Sequence, residues 1–93
     1  ASLIRIGDIL KNIYRDRRFS IFRIGGDEFI IIAKQTNEEE IQKKIAKMDV
    51  LCGEYNVSKG YAKIDSGAKN PFNAAFVEAD KMLYDEKRSK KDE

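Results

Sequence analysis

Hydrophobic residues recur at helical spacing in three parts of the chain, and three other segments have the pattern of β-strands. The helices are predicted at residues 2–15, from a cap at Thr36 or Asn37 onward, and over about 71–89. The strand segments are rich in β-branched and aromatic residues, and they cover residues 19–24, 29–33 and 54–64. The predicted order is therefore α-β-β-α-β-α, without repeats, linkers or low-complexity tracts.

This order predicts an α+β fold, sandwich-like, in which helices pack on a mainly antiparallel sheet. Residues 29–33 are continuously apolar, as in a central strand covered on both faces. The order matches most of a split β-α-β arrangement that lacks its first strand. Because Ala1 leads into a helical pattern at once, we expect residues 1–93 to be part of a domain. A sheet without its first strand would expose an edge that could recruit another chain.

The composition narrows the functional classes. The chain has 18 basic and 16 acidic residues, so its charge gives no reason to expect nucleic-acid or membrane binding. It has no histidine, which excludes histidine-based catalysis and histidine metal sites. Its single cysteine, Cys52, lies among apolar residues and is expected to be an inert thiol in a reducing, cytoplasmic setting. No segment reaches the roughly 20 apolar residues of a membrane helix.

Residues 25–28, at the predicted hairpin tip, are two glycines followed by two carboxylates. Glycine lets the backbone approach a bulky anion, and its N–H group can face phosphate oxygens. A carboxylate beside it suits Mg²⁺, a hard cation that prefers oxygen ligands and often bridges to phosphates. From these residues alone, the simpler interpretation of an acidic tight turn is favoured, because Gly-Gly turns are common.

Three sequence motifs, in a consistent order and spacing, favour the functional interpretation of this turn over the simpler one. The run Arg23-Ile24-Gly25-Gly26-Asp27-Glu28-Phe29 resembles the signature of the GGDEF family, the diguanylate cyclases. Val57-Ser58-Lys59-Gly60-Tyr61-Ala62 is similar to a strand motif of that family, with Lys59 in place of an apolar residue. Ala79-Asp80-Lys81-Met82-Leu83-Tyr84-Asp85-Glu86-Lys87 resembles its last helix. The motifs occur in the family's order and span nearly the whole chain, which makes the resemblance specific.

The resemblance implies a truncated palm-like β-α-β-β-α-β domain of the nucleotidyl-cyclase type, with residues 1–93 as its C-terminal portion. It implies a bacterial signalling enzyme that condenses two GTP molecules into cyclic di-GMP and releases pyrophosphate. The implied cofactor is Mg²⁺ or Mn²⁺, which would polarise phosphate oxygens and stabilise the attacking alkoxide. The implied partners are GTP, a second copy in a homodimer, and an upstream sensory domain in the parent protein. Other domains could tether that parent to a membrane.

Site residues follow from the resemblance by position. Asp27 matches the metal-binding acidic residue, which also helps to deprotonate the hydroxyl, and Glu28 matches the second catalytic carboxylate. Gly25 and Gly26 match the turn that faces the nucleotide. The basic residues matching phosphate contacts are Arg23, Lys87 and Lys91. Without the resemblance, the two lysines would be interpreted as solvated charges of the C-terminal tail.

The chain also departs from the family pattern. The family's inhibitory Arg-x-x-Asp has Asp16 and Phe19 at the matching positions, so we predict no inhibitory site. The first-strand Asp and the guanine-reading Asn and Asp have no counterpart, because Gly7-Asp8 lies too late in the sequence. We therefore predict that this segment alone is inactive and that the intact domain is a cyclase, since Asp27 alone would hold a metal weakly.

Two other functions remain open at this point. The segment could belong to a catalytically silent GGDEF-like module that binds GTP or only dimerises, although such modules usually lose the acidic positions that Asp27 and Glu28 retain. It could also be a simple α+β interaction domain with an accidental motif. An Asp on the family's first strand and an Asn on the next helix, upstream of Ala1, would favour the enzyme over the silent module. No loss of synthesis or of metal-dependent GTP binding on replacing Asp27 in the complete protein would support the interaction domain.

Overall fold

The computed structural model describes residues 2–91, with side chains at 6–53 and 55–89. The elements in chain order are α1 (Ser2–Ile13), β1 (Phe19–Gly25), β2 (Glu28–Ala33), α2 (Glu38–Leu51), β3 (Ser58–Lys63) and α3 (Pro71–Lys91). This order confirms the predicted α-β-β-α-β-α arrangement and the α+β fold class. None of the helices in the described part of the chain is long and apolar enough to cross a membrane.

One strand boundary differs from the sequence pattern, and the structure decides between the two caps predicted for α2. The strand predicted from residue 54 begins at Ser58, because Gly53–Tyr55 forms a short 3-10 turn that ends at Asn56 in a left-handed conformation with φ of 52°. At α2, Asn37 rather than Thr36 is the N-cap, and its side chain accepts a hydrogen bond from the Glu40 N–H. That bond satisfies one of the amides left unpaired at a helix start.

The sheet has three strands in the order β1-β2-β3, with β2 in the centre. The hairpin pair β1–β2 is antiparallel, whereas β2 and β3 are parallel. The sheet is therefore mixed, because α2 returns the chain so that β3 runs in the same direction as β2. The sequence patterns give the strand positions and the intervening helix, but not that β2 and β3 are neighbours in the sheet.

Helices cover both faces of β2. On one face, Phe29, Ile31 and Ala33 pack with residues of α1 and α2 in the larger core cluster. On the other face, Ile30 and Ile32 pack against α3. All five side chains are at most 4% exposed, which confirms the central strand predicted from its continuous apolar sequence.

Gly60 allows α3 to lie directly on β3. A methyl group at this position would lie 1.9 Å from the Ala79 carbonyl oxygen and 2.7 Å from the Leu83 nitrogen. Ala79 itself is completely buried, so both partners at this contact are small. The close approach fixes the position of α3, whose last turns carry part of the predicted site.

The outer edge of β3 is partly covered by α3. The Lys59 N–H donates to the Glu86 carboxylate, and the Tyr61 N–H donates to the Met82 sulfur at 3.4 Å. Side chains that cover strand amides reduce the tendency of an edge to pair with another chain. The outer edge of β3 is therefore protected at these two positions.

Candidate functional site

The hairpin tip lies where β1 and β2 meet. Gly26 and Asp27 form the turn, and Gly25 pairs with Glu28 across it. The strand register shifts between Arg23 and Gly25, which is the signature of a β-bulge. The described glycines have no positive φ, so a left-handed glycine turn is not what closes this hairpin.

The two glycines of the tip have different surroundings. A methyl group at Gly26 would meet nothing within 4 Å. A methyl group at Gly25 would lie 3.1 Å from the Glu28 carboxylate carbon, so the side chain of Glu28 folds back over Gly25. Space for a ligand is therefore open at Gly26, while Gly25 makes room for a side chain of the tip itself.

The two carboxylates of the tip also differ. Asp27 is exposed, and its backbone carbonyl accepts a hydrogen bond of 2.8 Å from the Ser58 N–H at the start of β3. Glu28 is three-quarters buried, and its carboxylate lies 2.7 Å from the Lys87 ammonium. Asp27 thus presents its carboxylate to solvent, whereas the Glu28 carboxylate points toward α3.

Lys87 joins the hairpin tip to the C-terminal part of α3. The hydrogen bond to Glu28 and the negative charge of that carboxylate raise the pKa of Lys87, and Asp27 adds a smaller effect in the same direction. The lysine therefore stays cationic at neutral pH, and its side chain remains half exposed. Residues 59 positions apart in sequence, Glu28 and Lys87, are thus brought into direct contact.

Arg23 stabilises the tip from the opposite side. Its guanidinium donates to the carbonyl of Gly25 at 3.3 Å and to that of Gly26 at 2.8 Å. It also lies 5.9 Å from the centre of the Phe29 ring. Arg23 therefore holds the turn carbonyls, and its contact with phosphate stays a prediction.

The side chain of Lys91 lies outside the described residues, so its predicted role has no structural counterpart here. The positions that match the inhibitory motif have other contacts. Phe19 is 5% exposed in the core, and Asp16 accepts hydrogen bonds from Arg18. Asp16 thus has a charge partner within its own loop.

The donors at the tip suit a hard divalent cation only in part. Among the described side chains, no group of three or more histidine, cysteine or acidic residues is placed to hold a metal ion. Mg²⁺ is commonly held by one or two carboxylates together with substrate phosphates and water. Asp27, with its exposed carboxylate oxygens, fits one such ligand, and Glu28 fits a second if it leaves Lys87.

Sequence reasoning missed two residues, one that binds the tip and one that binds α3 to β3. Ser58 holds the Asp27 carbonyl, and Glu86 binds both the backbone N–H and the ammonium of Lys59. Both lie inside motifs noted in the sequence, and Glu86 directly precedes Lys87, to which a role was assigned. The Ser58 contact depends on the β2–β3 pairing and the Glu86 contacts on the packing of α3 against β3, and both join residues far apart in the sequence.

Comparison with known proteins agrees with the three motifs. The family model described as diguanylate cyclase, GGDEF domain, matches residues 1–93, the whole of the chain. Neither the curated proteins nor the solved structures give a match. The family match includes the hairpin tip, the β3 motif with Gly60 and the last helix with Lys87. The chain belongs to the GGDEF family of diguanylate cyclase domains.

Proposed function

We propose that the domain to which these 93 residues belong synthesises cyclic di-GMP from two GTP molecules and releases two pyrophosphates. The observation that carries this proposal is the contact between Lys87 and Glu28, whose charged atoms are 2.7 Å apart beside the exposed Asp27. A cation and two carboxylates thus meet next to an unobstructed glycine. This combination suits a metal-bound triphosphate better than a neutral ligand.

The reaction joins the 3′-hydroxyl oxygen of each GTP to the α-phosphorus of the other and breaks the bond to pyrophosphate. Such phosphoryl chemistry depends mainly on positioning and charge neutralisation. A bound Mg²⁺ or Mn²⁺ would supply Lewis-acid stabilisation of the phosphate oxygens and the attacking oxygen. Asp27 would hold that cation and accept the hydroxyl proton, and Glu28 would be the second acidic ligand.

The basic residues would bind the phosphates. Lys87, and Lys91 one helical turn later, would neutralise charge on the triphosphate and on the departing pyrophosphate. Arg23 has part of its guanidinium committed to the turn carbonyls, and it would support the tip and add positive charge there. Gly25 and Gly26 would let the nucleotide lie against the backbone.

The proposed reaction needs a homodimer, because each nucleotide attacks the other. The described residues of this chain contain no group of three metal-ligating side chains, so the remaining ligands would come from elsewhere in the domain. Residues 1–93 are then the C-terminal portion of that domain, and on their own they are expected to make no product. Its cytoplasmic location and an upstream sensory domain are parts of the same proposal.

The test compares Asp27→Asn with Asp8→Asn in the intact parent protein. Both substitutions remove one exposed carboxylate, but Asp8 lies on α1 and is not part of the tip motif. With GTP and Mg²⁺, Asp27→Asn should lower cyclic di-GMP formation by about 100-fold or more, the scale of losing one charge-stabilising group. Asp8→Asn should leave the rate within about twofold. Equal rates for wild type and Asp27→Asn would overturn the proposal.

Nucleotide binding separates the enzyme from the silent module. Wild-type parent protein that binds GTP in the presence of Mg²⁺ but forms no product would support a GTP-binding or dimerisation role. Product formed by the 93-residue chain alone would contradict the assignment of missing ligands to another part of the domain. Product from the parent, with none from this chain, is the expected result.

A further inference from the structure

Lys59 lies where three elements meet. Its ammonium is 2.7 Å from Asp49 on α2 and 3.3 Å from Glu86 on α3, and the lysine itself belongs to β3. Its side chain is only 13% exposed. Lysine is rarely so buried unless its charge is paired. This residue also departs from the family's strand motif, where the resemblance leads us to expect an apolar side chain.

The charge of Lys59 is well compensated. Burial by itself lowers the pKa of Lys59, but the hydrogen bond to Asp49 and the charges of Glu86 and Asp49 outweigh it, so the net shift is upward. Glu86 also accepts the backbone N–H of Lys59 with its second oxygen. One carboxylate on α3 therefore binds both the main chain and the side chain of the same β3 residue.

The neighbouring residues connect this contact to the hairpin tip. Ser58 donates its N–H to the Asp27 carbonyl at 2.8 Å, and Lys59 follows it directly. On α3, Lys87 follows Glu86 directly and reaches Glu28. Two adjacent residues of β3 thus bind the tip on one side and α3 on the other, and α3 returns to the same tip one residue later.

We propose that Lys59 is a positioning residue for Lys87: through Glu86 it fixes the last turns of α3 against β3, so that the Lys87 ammonium faces the hairpin tip. The geometry of Lys87 does not depend on what binds there. The effect of Lys59 on phosphate binding by Lys87 rests on the proposed function. Lys59 itself lies beside the helix contact and touches neither Asp27 nor Glu28 in the described contacts.

The direct test is structural and uses the 93-residue chain. Lys59→Met keeps a long side chain but removes the charge, and Lys43→Met is the matched control, since Lys43 forms an exposed pair with Glu39 at 3.6 Å. Nuclear Overhauser contacts between the Lys87 and Glu28 side chains should be present in wild type and Lys43→Met. They should be lost in Lys59→Met. A folded Lys59→Met chain that retains them would overturn the proposal.

If Lys59→Met does not fold, Glu86→Gln becomes the deciding variant. It leaves the ion pair between Lys59 and Asp49 in place, and a glutamine oxygen can still accept a backbone N–H. The contact between α3 and β3 then loses only its charge. Weaker Overhauser contacts between Lys87 and Glu28 would support the proposal, whereas contacts equal to those of wild type would contradict it.

The functional test asks whether Lys59 acts through Lys87. In the parent protein, Lys59→Met and Lys87→Met should each weaken binding of GTP with Mg²⁺ by about tenfold, the scale of one hydrogen bond to a charged group. The double variant should bind no more weakly than Lys87→Met, because coupled residues give non-additive effects. Additive losses would show that Lys59 has only a general structural role.

The two proposals fail in distinguishable ways. If wild-type parent protein binds no GTP, the proposed function fails, and the Overhauser contacts still decide whether Lys59 positions Lys87. If GTP binds and the two lysine variants act additively, GTP binding by the domain stands and the positioning role is excluded. Lys43→Met should bind GTP as wild type does in either case.

Discussion

Gly60 and Gly26 belong to two regions of the molecule that use the absence of a side chain in opposite ways. At Gly60, on the packed face of the sheet, a methyl group would lie 1.9 Å from a backbone oxygen of α3. At Gly26, on the hairpin tip, a methyl group would meet nothing within 4 Å. Neither glycine has a positive φ, so backbone conformation does not explain either residue.

The fold requires Gly60, whereas Gly26 is a candidate requirement of the ligand. Gly60 is needed because α3 packs on β3 at backbone distance, and the same contact brings Lys87 to the tip. Nothing within the described structure needs glycine at position 26. The open space there is therefore consistent with a bound nucleotide, which is the part of the proposal that depends on Gly26.

The largest expected effect on the free energy of unfolding is at Gly60, where α3 packs on β3. Gly60→Ala should lower the free energy of unfolding by at least ~2 kcal/mol, because the new methyl group forces α3 away from β3. Urea denaturation of the variant and of wild type measures this difference. A variant as stable as wild type would mean that α3 does not approach β3 this closely and that the fold does not require glycine at position 60.

The next effect applies one substitution to both regions. Ile30 is fully buried between β2 and α3, whereas Ile24, in the bulge beside the tip, is 47% exposed. Ile30→Val should cost ~1 kcal/mol of unfolding free energy through the lost methylene and the small cavity it leaves. Ile24→Val should change it by less than ~0.5 kcal/mol. Equal losses in denaturation experiments would show that the tip is packed as tightly as the core.

The same contrast explains what sequence alone could reveal about the fold. Local patterns are strong where one residue type repeats with burial, so the apolar run from Phe29 to Ala33 predicted the central strand correctly. The order of elements and the cap choice near Asn37 followed from similar local signals. The parallel pairing of β2 with β3 did not, because it depends on contacts between residues far apart in the chain.

In the candidate site, too, local sequence predicted some features, while others depend on contacts between distant residues. Gly25 to Glu28 could be assigned to a hairpin tip from adjacent residues, and the resemblance supplied Lys87. Their meeting at 2.7 Å depends on the path of α3 across the sheet. Lys59 was noted only as a replacement for an apolar residue of the strand motif, because its two acidic partners lie on other elements.

A smaller effect tests whether surface charge contributes to the stability of the packed region. The hydrogen bonds from Arg18 lower the pKa of Asp16 from 3.8 to about 2. Because the folded-state pKa is the lower one, the stabilisation is present above pH 3.8 and is lost as the pH falls toward about 2. Asp16→Asn should remove this part of the acid dependence, measured as melting temperature between these pH values. An unchanged acid dependence would show that the pair of Asp16 and Arg18 does not stabilise the fold in solution. Many exposed ion pairs make no measurable contribution to stability.

The smallest expected effect on stability is at the hairpin tip, where a substitution tests whether Gly26 is needed by the ligand. Gly26→Ala should change the free energy of unfolding by less than ~0.5 kcal/mol, because the added methyl group points into open space. In the parent protein, the same methyl group should weaken binding of GTP with Mg²⁺ by about tenfold, since it would occupy the space proposed for the nucleotide. Titration with GTP, beside urea denaturation of the same variant, measures both quantities. Unchanged affinity would mean that the nucleotide does not lie against Gly26, whereas lost affinity with unchanged stability would show that this glycine is needed by the ligand and not by the fold.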